Sequence, residues 1–484
     1  MIDFSRRAHP FVPPRAAPSA PPRGSVILGT GDGEDAWLPA PTLQQTANFT
    51  VAAQAGGGKT ALLASAVSSS LGWSFRHEEP HKRRCFIVID PKGDIVDYCL
   101  GGIATHPAVV PSLRYCNIFA RRGAIGALPL NFTKIATTDP PALVALGTAH
   151  LLARTAVGGG VLSVPAGHRQ TEVTAAAVAG AYDCDHERAS LLFAVDCLEL
   201  PDGPDRLAQL CPSERVRAQL RAIPSPGSEP RVGALSRLKA SLTGWYELEQ
   251  QLSAPDCVSF EMLTAAGCTF VDLSDAPAGA SELVNVTGNL LVSEIMRYLL
   301  SRPTGFGGHN CTVLVDEALQ FTDAHSTYGR RIYEIGRSKA VSCWLAVQQL
   351  RGLRDTGALY HAIVANCTNT IYGRQGYEDA TAAAREVFGN AGSAEAVRFV
   401  ADLVGMPPQQ FYLAQPGRRL RFTATHIDFR AWEAAARQHE AQLLRTLSSL
   451  SRVLPPPVRL HEVGGPRTSP VLRNTPRRRG SFIG

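Results

Sequence analysis

A loop running Ala53, Gln54, Ala55, Gly56, Gly57, Gly58, Lys59, Thr60 separates two apolar segments of different period. Before it, Asn48 to Ala53 reads as a short buried strand. After it, Leu62, Leu63, Ala66, Val67 and Leu71 recur at helical spacing from Lys59 onward. A strand that passes into a helix through consecutive glycines constrains the fold strongly. Its successive backbone N–H groups can turn inward on an anion, and the helix N-terminus adds partial positive charge. In such a loop Lys59 would reach the β- and γ-phosphates of ATP and the Thr60 hydroxyl would ligate Mg2+. Ala53 stands where a first glycine is usual, and its side chain is small enough to be tolerated. Ala53 to Thr60 is therefore the expected nucleotide cradle.

A second apolar run, Val313 to Val315, ends in Asp316 and Glu317. Acids at the carboxyl end of a buried strand lie where α/β sheets bind ligands. Asp316 is expected to hold Mg2+ through water, and Glu317 to activate the attacking water as general base. Gln348, at the end of the run Val341 to Val347, is placed to sense the γ-phosphate, with Gln349 as the competing choice. Arg330, Arg331, Arg337 and Arg374 follow these motifs. A charge-stabilising arginine can come from a neighbouring subunit; Arg337 is the first candidate and Arg374 the second. Cys85 to Ile89 is a further buried strand, ending in Asp90, Pro91, Lys92, Gly93 and Asp94. It is expected beside the phosphate-loop strand, with Asp90 joining the Mg2+ network or fixing Lys59.

The formal charge of +6 is unevenly placed. Residues 1–24 hold four arginines against one aspartate, and residues 452–484 hold seven arginines against one glutamate, leaving a net-acidic body. Both ends are rich in Pro and Arg and are expected to be disordered. Arg-rich tails suit an acidic partner such as DNA. Within the body, 81–84 and 418–421 are the local basic clusters. The 11 cysteines show no Cys-x-x-Cys pair, and no secretory signal is visible, so a reduced cytoplasmic chain is expected. No stretch of about 20 apolar residues occurs, so no intrinsic membrane span is expected.

Alternating apolar strands and helices imply an α/β fold with a mainly parallel sheet. The expected organisation is a nucleotide-binding domain in two parts, 25–135 and 257–440, interrupted by an all-helical insertion over 136–256.

The segment Phe86 to Asp94 resembles the "DPKG" strand end of type IV coupling proteins (TraG/TraD-like), within the FtsK/HerA-like group of P-loop translocases. Val313 to Glu317, then Ile335 to Arg337 followed by Leu345 to Leu350, then Ala365 to Cys367 with Ile371 and Asp379, are similar to the later motifs of that group in their order. A helical insertion after the first nucleotide motif is also similar. The resemblance covers about 43–429. It implies a RecA-like ring ATPase, a hexamer, that moves DNA and delivers it with a relaxase to a secretion-channel protein. Coupling proteins usually begin with membrane helices and none is visible here, so any hold on the inner face of the membrane would come from a partner. The alternatives are a packaging or protein-secretion ATPase that couples no relaxase, and a nucleotide-dependent scaffold with little turnover. Glu317 weighs against the last.

Overall fold

The computed structural model describes residues 21–31, 33–39, 48–117, 127–135, 141–154, 167–274, 281–321, 330–354, 357–415 and 418–463. The Arg-rich ends 1–20 and 464–484 lie outside them. The described strands are β1 (Val26–Gly31), β2 (Glu34–Leu38), β3 (Phe49–Ala52), β4 (Cys85–Asp90), β5 (Leu113–Asn117), β6 (Gly267–Asp272), β7 (Cys311–Val315), β8 (Val341–Val347), β9 (Asn369–Tyr372), β10 (Gln410–Gln415) and β11 (Arg418–Ala424). They form one sheet in the order β2-β1-β11-β10-β9-β3-β8-β7-β4-β6-β5. From β9 to β5 every pairing is parallel; from β9 to β2 every pairing is antiparallel. The sheet is therefore mainly parallel with an antiparallel flank, the RecA-like arrangement expected.

The parallel strands are buried on both faces, and their two-residue period divides them between two cores. Phe86, Val88, Leu314, Trp344 and Ala346 join the core under the helices α1 (Lys59–His77) and α2 (Asp94–Ala104). Ile87, Ile89, Val313, Val315, Cys343 and Leu345 face the other way, into the core shared with the helical insertion. Trp344 packs between Phe49 and Phe86, with ring centroids 4.5 and 5.1 Å away, and so ties β3 to β4 across the strands between them.

Those intervening strands correct one expectation. β4 is not beside β3: β8 and β7 separate them. The 19-residue α1 carries the chain past two positions that later segments fill. Strand neighbours here are chosen by long-range packing, and adjacency in sequence does not reveal it.

Between β5 and β6 the described chain is helical, from Pro141–Arg154 to Phe260–Leu263, which gives the all-α insertion. A second correction concerns the segment from 452. Residues 452–463 do not read as a free tail but pack on that insertion and on the segment just before it. Arg452 bridges Ala127, Gln250 Nε2 donates to the Leu454 carbonyl at 3.1 Å, and an Arg188 guanidinium N–H donates to the Pro456 carbonyl at 2.8 Å. Arg459 Nε donates to Asp196 Oδ1 at 2.8 Å, and the Leu460 amide to Asp196 Oδ2 at 2.6 Å. Asp196 and Leu460 are both buried. A proline-rich strand makes no hydrogen bonds of its own, so its composition resembles disorder until side chains from elsewhere take its carbonyls.

Candidate nucleotide site

Because the central strands are parallel, their carboxyl ends share one edge, and the chemically distinctive residues meet there. Ala52 is paired with Val347 in one direction and Tyr372 in the other, so Ala53, Gln348 and Gly373 follow side by side. Ile89 is paired with Val315, which brings Asp90 next to Asp316.

The loop is held from three sides. The Ala53 amide donates to the Val347 carbonyl at 3.1 Å, and the Gln54 amide to the Arg374 carbonyl at 2.9 Å. The Gln409 amide donates to the Gly57 carbonyl at 3.2 Å. Gly56 and Gly58 adopt φ of 75° and 90°, the left-handed region that a side chain disfavours. The substitution at Ala53 has a visible compensation. A Cβ placed on Gly373 would lie 2.6 Å from the Ala53 Cβ, so the methyl group carried by the loop fits because the facing residue has none. No acid lies in the first turn of α1, and Gly58 provides no side-chain cap, so its leading N–H groups are left to an anion.

Lys59 is buried, and its Nζ donates to the Ala53 carbonyl at 2.7 Å. Burial lowers its pKa, against the opposing charges of Glu317 and Asp316. Burial and the Glu317 charge together raise the pKa of Asp316. Glu317 has φ 48°, a strained conformation for a residue with a side chain. Its Oε1 accepts from Gln348 Nε2 at 2.7 Å and from Lys92 Nζ at 2.6 Å. Burial pushes its pKa up, but those two hydrogen bonds and the charges of Lys92 and Lys59 outweigh it and hold the carboxylate below its usual range. Gln349 is exposed, so of the two glutamines it is Gln348 that turns to the acids.

The structure thus brings together Lys59, Asp316, Glu317 and Gln348. It gives Asp90 another task than fixing Lys59. Its buried carboxylate accepts from the Lys92 amide at 2.9 Å and the Val96 amide at 3.1 Å, closing the turn into α2. Burial pushes its pKa up to about 6 in spite of those amides, and the Asp316 charge adds to the rise.

The arginines separate. Arg337 is exposed and precedes β8, at the opposite end of that strand from Gln348. Seven residues of strand place it roughly 23 Å from the site. Arg374, the second candidate for action on a neighbour, instead lies on its own loop: its guanidinium approaches the Ala55 carbonyl at 3.5 Å. Arg330 pairs with Glu334 at 2.8 Å, and Arg331 is exposed. The basic clusters are largely engaged. Arg84 is buried against Ser70, Gly24 and Glu78, and Lys82 pairs with Glu79 at 3.2 Å. Arg418 pairs with Glu34 at 3.3 Å, and Arg421 with Asp402 at 3.7 Å.

Sequence reasoning named Lys92 within the Asp90–Asp94 strand end but gave it no role, and it missed Gly373 and Gln409. Lys92 had a readable signal, a base at the carboxyl end of a sheet strand. Gly373 and Gln409 had none, since both meet the loop through the tertiary fold.

Among the described residues no three His, Cys, Asp or Glu side chains converge on a metal position. Mg2+ takes few protein ligands; the Asp316 carboxylate at the sheet edge and the Thr60 hydroxyl in the first turn of α1 are the oxygens that would hold it, with water and substrate phosphates.

The fold is that of the RecA-like P-loop NTPases. The sequence matches no protein-family model and no curated protein. Solved structures share the fold. The bacterial conjugative coupling protein TrwBdeltaN70, unbound, is 11% identical with a TM-score of 0.52, covering 86% of this chain and 90% of that one. VirB4 of Thermoanaerobacter pseudethanolicus is 15% identical with a TM-score of 0.55, covering 84% of this chain and 98% of that one. The plasmid coupling protein TrwB in complex with ADP and Mg2+ is 11% identical with a TM-score of 0.53, covering 86% and 92%. No described helix is long and apolar enough to cross a membrane.

Proposed function

We propose that this chain is a Mg2+-dependent ATPase that drives macromolecular transport of the type IV secretion and conjugation kind, with DNA as the cargo. The observation that carries hydrolysis is the grouping of Glu317, held by Gln348, beside Asp316 and the loop lysine. Mg2+ would neutralise phosphate charge and orient the γ-phosphate. Glu317 takes a proton from water as the oxygen attacks the γ-phosphorus, the bond to the β-phosphate oxygen breaks, and ADP and inorganic phosphate leave. Lys59 stabilises the charge that develops, and Gln348 orients Glu317 and registers loss of the phosphate.

The cargo reading rests on likeness of fold to the conjugative coupling protein over most of both chains. In this reading the chain works as a ring, a hexamer, with nucleotide between subunits. Arg337, exposed and remote from its own site, then serves a neighbour's nucleotide. A relaxase and secretion-channel proteins are the partners, and the motor works in the cytoplasm, brought to the membrane by one of them.

The engagement of the two basic clusters in ion pairs and burial favours a second reading, a motor for protein export. ATP turnover measured with single- and double-stranded DNA at two salt concentrations separates them. DNA transport requires stimulation that weakens as salt rises. Turnover indifferent to DNA, with no salt-sensitive binding, leaves protein export.

A further inference from the structure

Hydrolysis needs Glu317 to offer a lone pair to water, yet one of its oxygens already carries two donors. Gln348 Nε2 and Lys92 Nζ both reach Oε1, at 2.7 and 2.6 Å. An ammonium is a stronger partner for a carboxylate than a water molecule is, because its hydrogen bond is charge-assisted. The Lys92 backbone is fixed by the hydrogen bond that its N–H donates to the buried Asp90 carboxylate, so the lysine is presented to Glu317 from a set position. Its side chain is nevertheless 43% exposed, against 14% for that of Glu317. The lysine head can therefore leave for solvent while the glutamate stays. Glu317 itself sits at φ 48°, outside the β7 backbone conformation, so its direction depends on what holds it.

Accordingly, we propose that Lys92 is a positioning residue that latches Glu317 in a resting orientation and restrains nucleotide hydrolysis until the ammonium lets go. This rests on Glu317 being the general base. The alternative role for a lysine at this edge is to bind phosphate, as Lys59 does from the loop. The two roles predict opposite signs, because removing a phosphate ligand slows turnover and removing a latch speeds it.

The test is steady-state ATP hydrolysis by wild type, Lys92→Ala and Lys92→Arg, with nucleotide affinity measured on each by a fluorescent ATP analogue. For an ion pair with one half-exposed partner, Lys92→Ala should raise kcat by about two- to fivefold with KM unchanged. Lys92→Arg, which keeps a cation at that place, should stay near the wild-type rate. Preserved analogue binding shows that each variant is folded. An unchanged or lowered kcat in Lys92→Ala overturns the latch while leaving the ATPase reading intact. A wild type that binds without turnover, beside a Lys92→Ala variant that hydrolyses, supports a complete latch. Turnover in none of the three ends both the latch and the ATPase reading.

Discussion

Replacing Gly373 with alanine puts a methyl group into space that the phosphate loop already uses. The new Cβ would lie 2.6 Å from the Ala53 Cβ and 3.0 Å from a Phe411 ring carbon, and neither is the free end of a flexible chain. Ala53 is fully buried and its amide and carbonyl are both engaged, so it cannot step aside without moving the loop. Overpacking of this kind costs about 1–3 kcal/mol. If the strain falls on the loop's binding-competent shape, Kd for ATP rises by roughly 5- to 150-fold. Ala53→Gly alone removes the opposing methyl and should change affinity by less than about 1 kcal/mol. In the double variant the 2.6 Å contact is gone and only the Phe411 contact remains, so most of the lost affinity returns. The assay is a double-mutant cycle on nucleotide affinity, with thermal unfolding as the control for global damage. A Gly373→Ala variant that binds like the parent, or a double variant no better than Gly373→Ala, refutes the idea that these two positions share one methyl group's room.

Three further outcomes are expected. Arg459→Ala leaves the buried Asp196 carboxylate with the Leu460 amide as its remaining named partner, and should cost about 1–3 kcal/mol in denaturant unfolding while exposing 452–463 to protease. Asp90 has a folded-state pKa of about 6, above its ordinary value, so its contribution to stability is present below about pH 4 and is lost as pH rises through about 6. Asp90→Asn cannot ionise, so its stability relative to wild type should improve between pH 4 and 7, by up to about 3 kcal/mol in chemical denaturation series at the two pH values. Gly58→Ala, at φ 90° and against Gln409, should weaken nucleotide binding with little effect on the all-α insertion, read by analogue titration and far-UV circular dichroism.

The parts of the fold that were legible are those where an apolar run ends on a chemically distinctive residue. β3, β4, β7 and β8 are short, continuous and buried, and end on the loop, Asp90, Asp316 and Gln348. Strand order was not legible, because β3 and β4 are separated by strands made more than 200 residues later in the chain. β11 was read as a basic cluster. Its alternation of Leu420, Phe422 and Ala424 inward with arginines outward is the pattern of a half-buried strand, and the charges hid it. In the site, residue types announced Lys59, Asp316 and Glu317. What they could not announce is which side chains hold each other. Lys92 reaches Glu317 from 225 positions away, and Arg374 lies on its own loop only because β9 pairs with β3.

Hydrolysis of ATP through Glu317 is tested most directly by turnover of wild type and Glu317→Gln, each with Mg2+ and with a chelator, with nucleotide affinity measured on the same samples. Turnover should require Mg2+ and fall by about 10²- to 10⁴-fold in Glu317→Gln, while the variant still binds ATP. Equal turnover in the two proteins would exclude Glu317 as the general base.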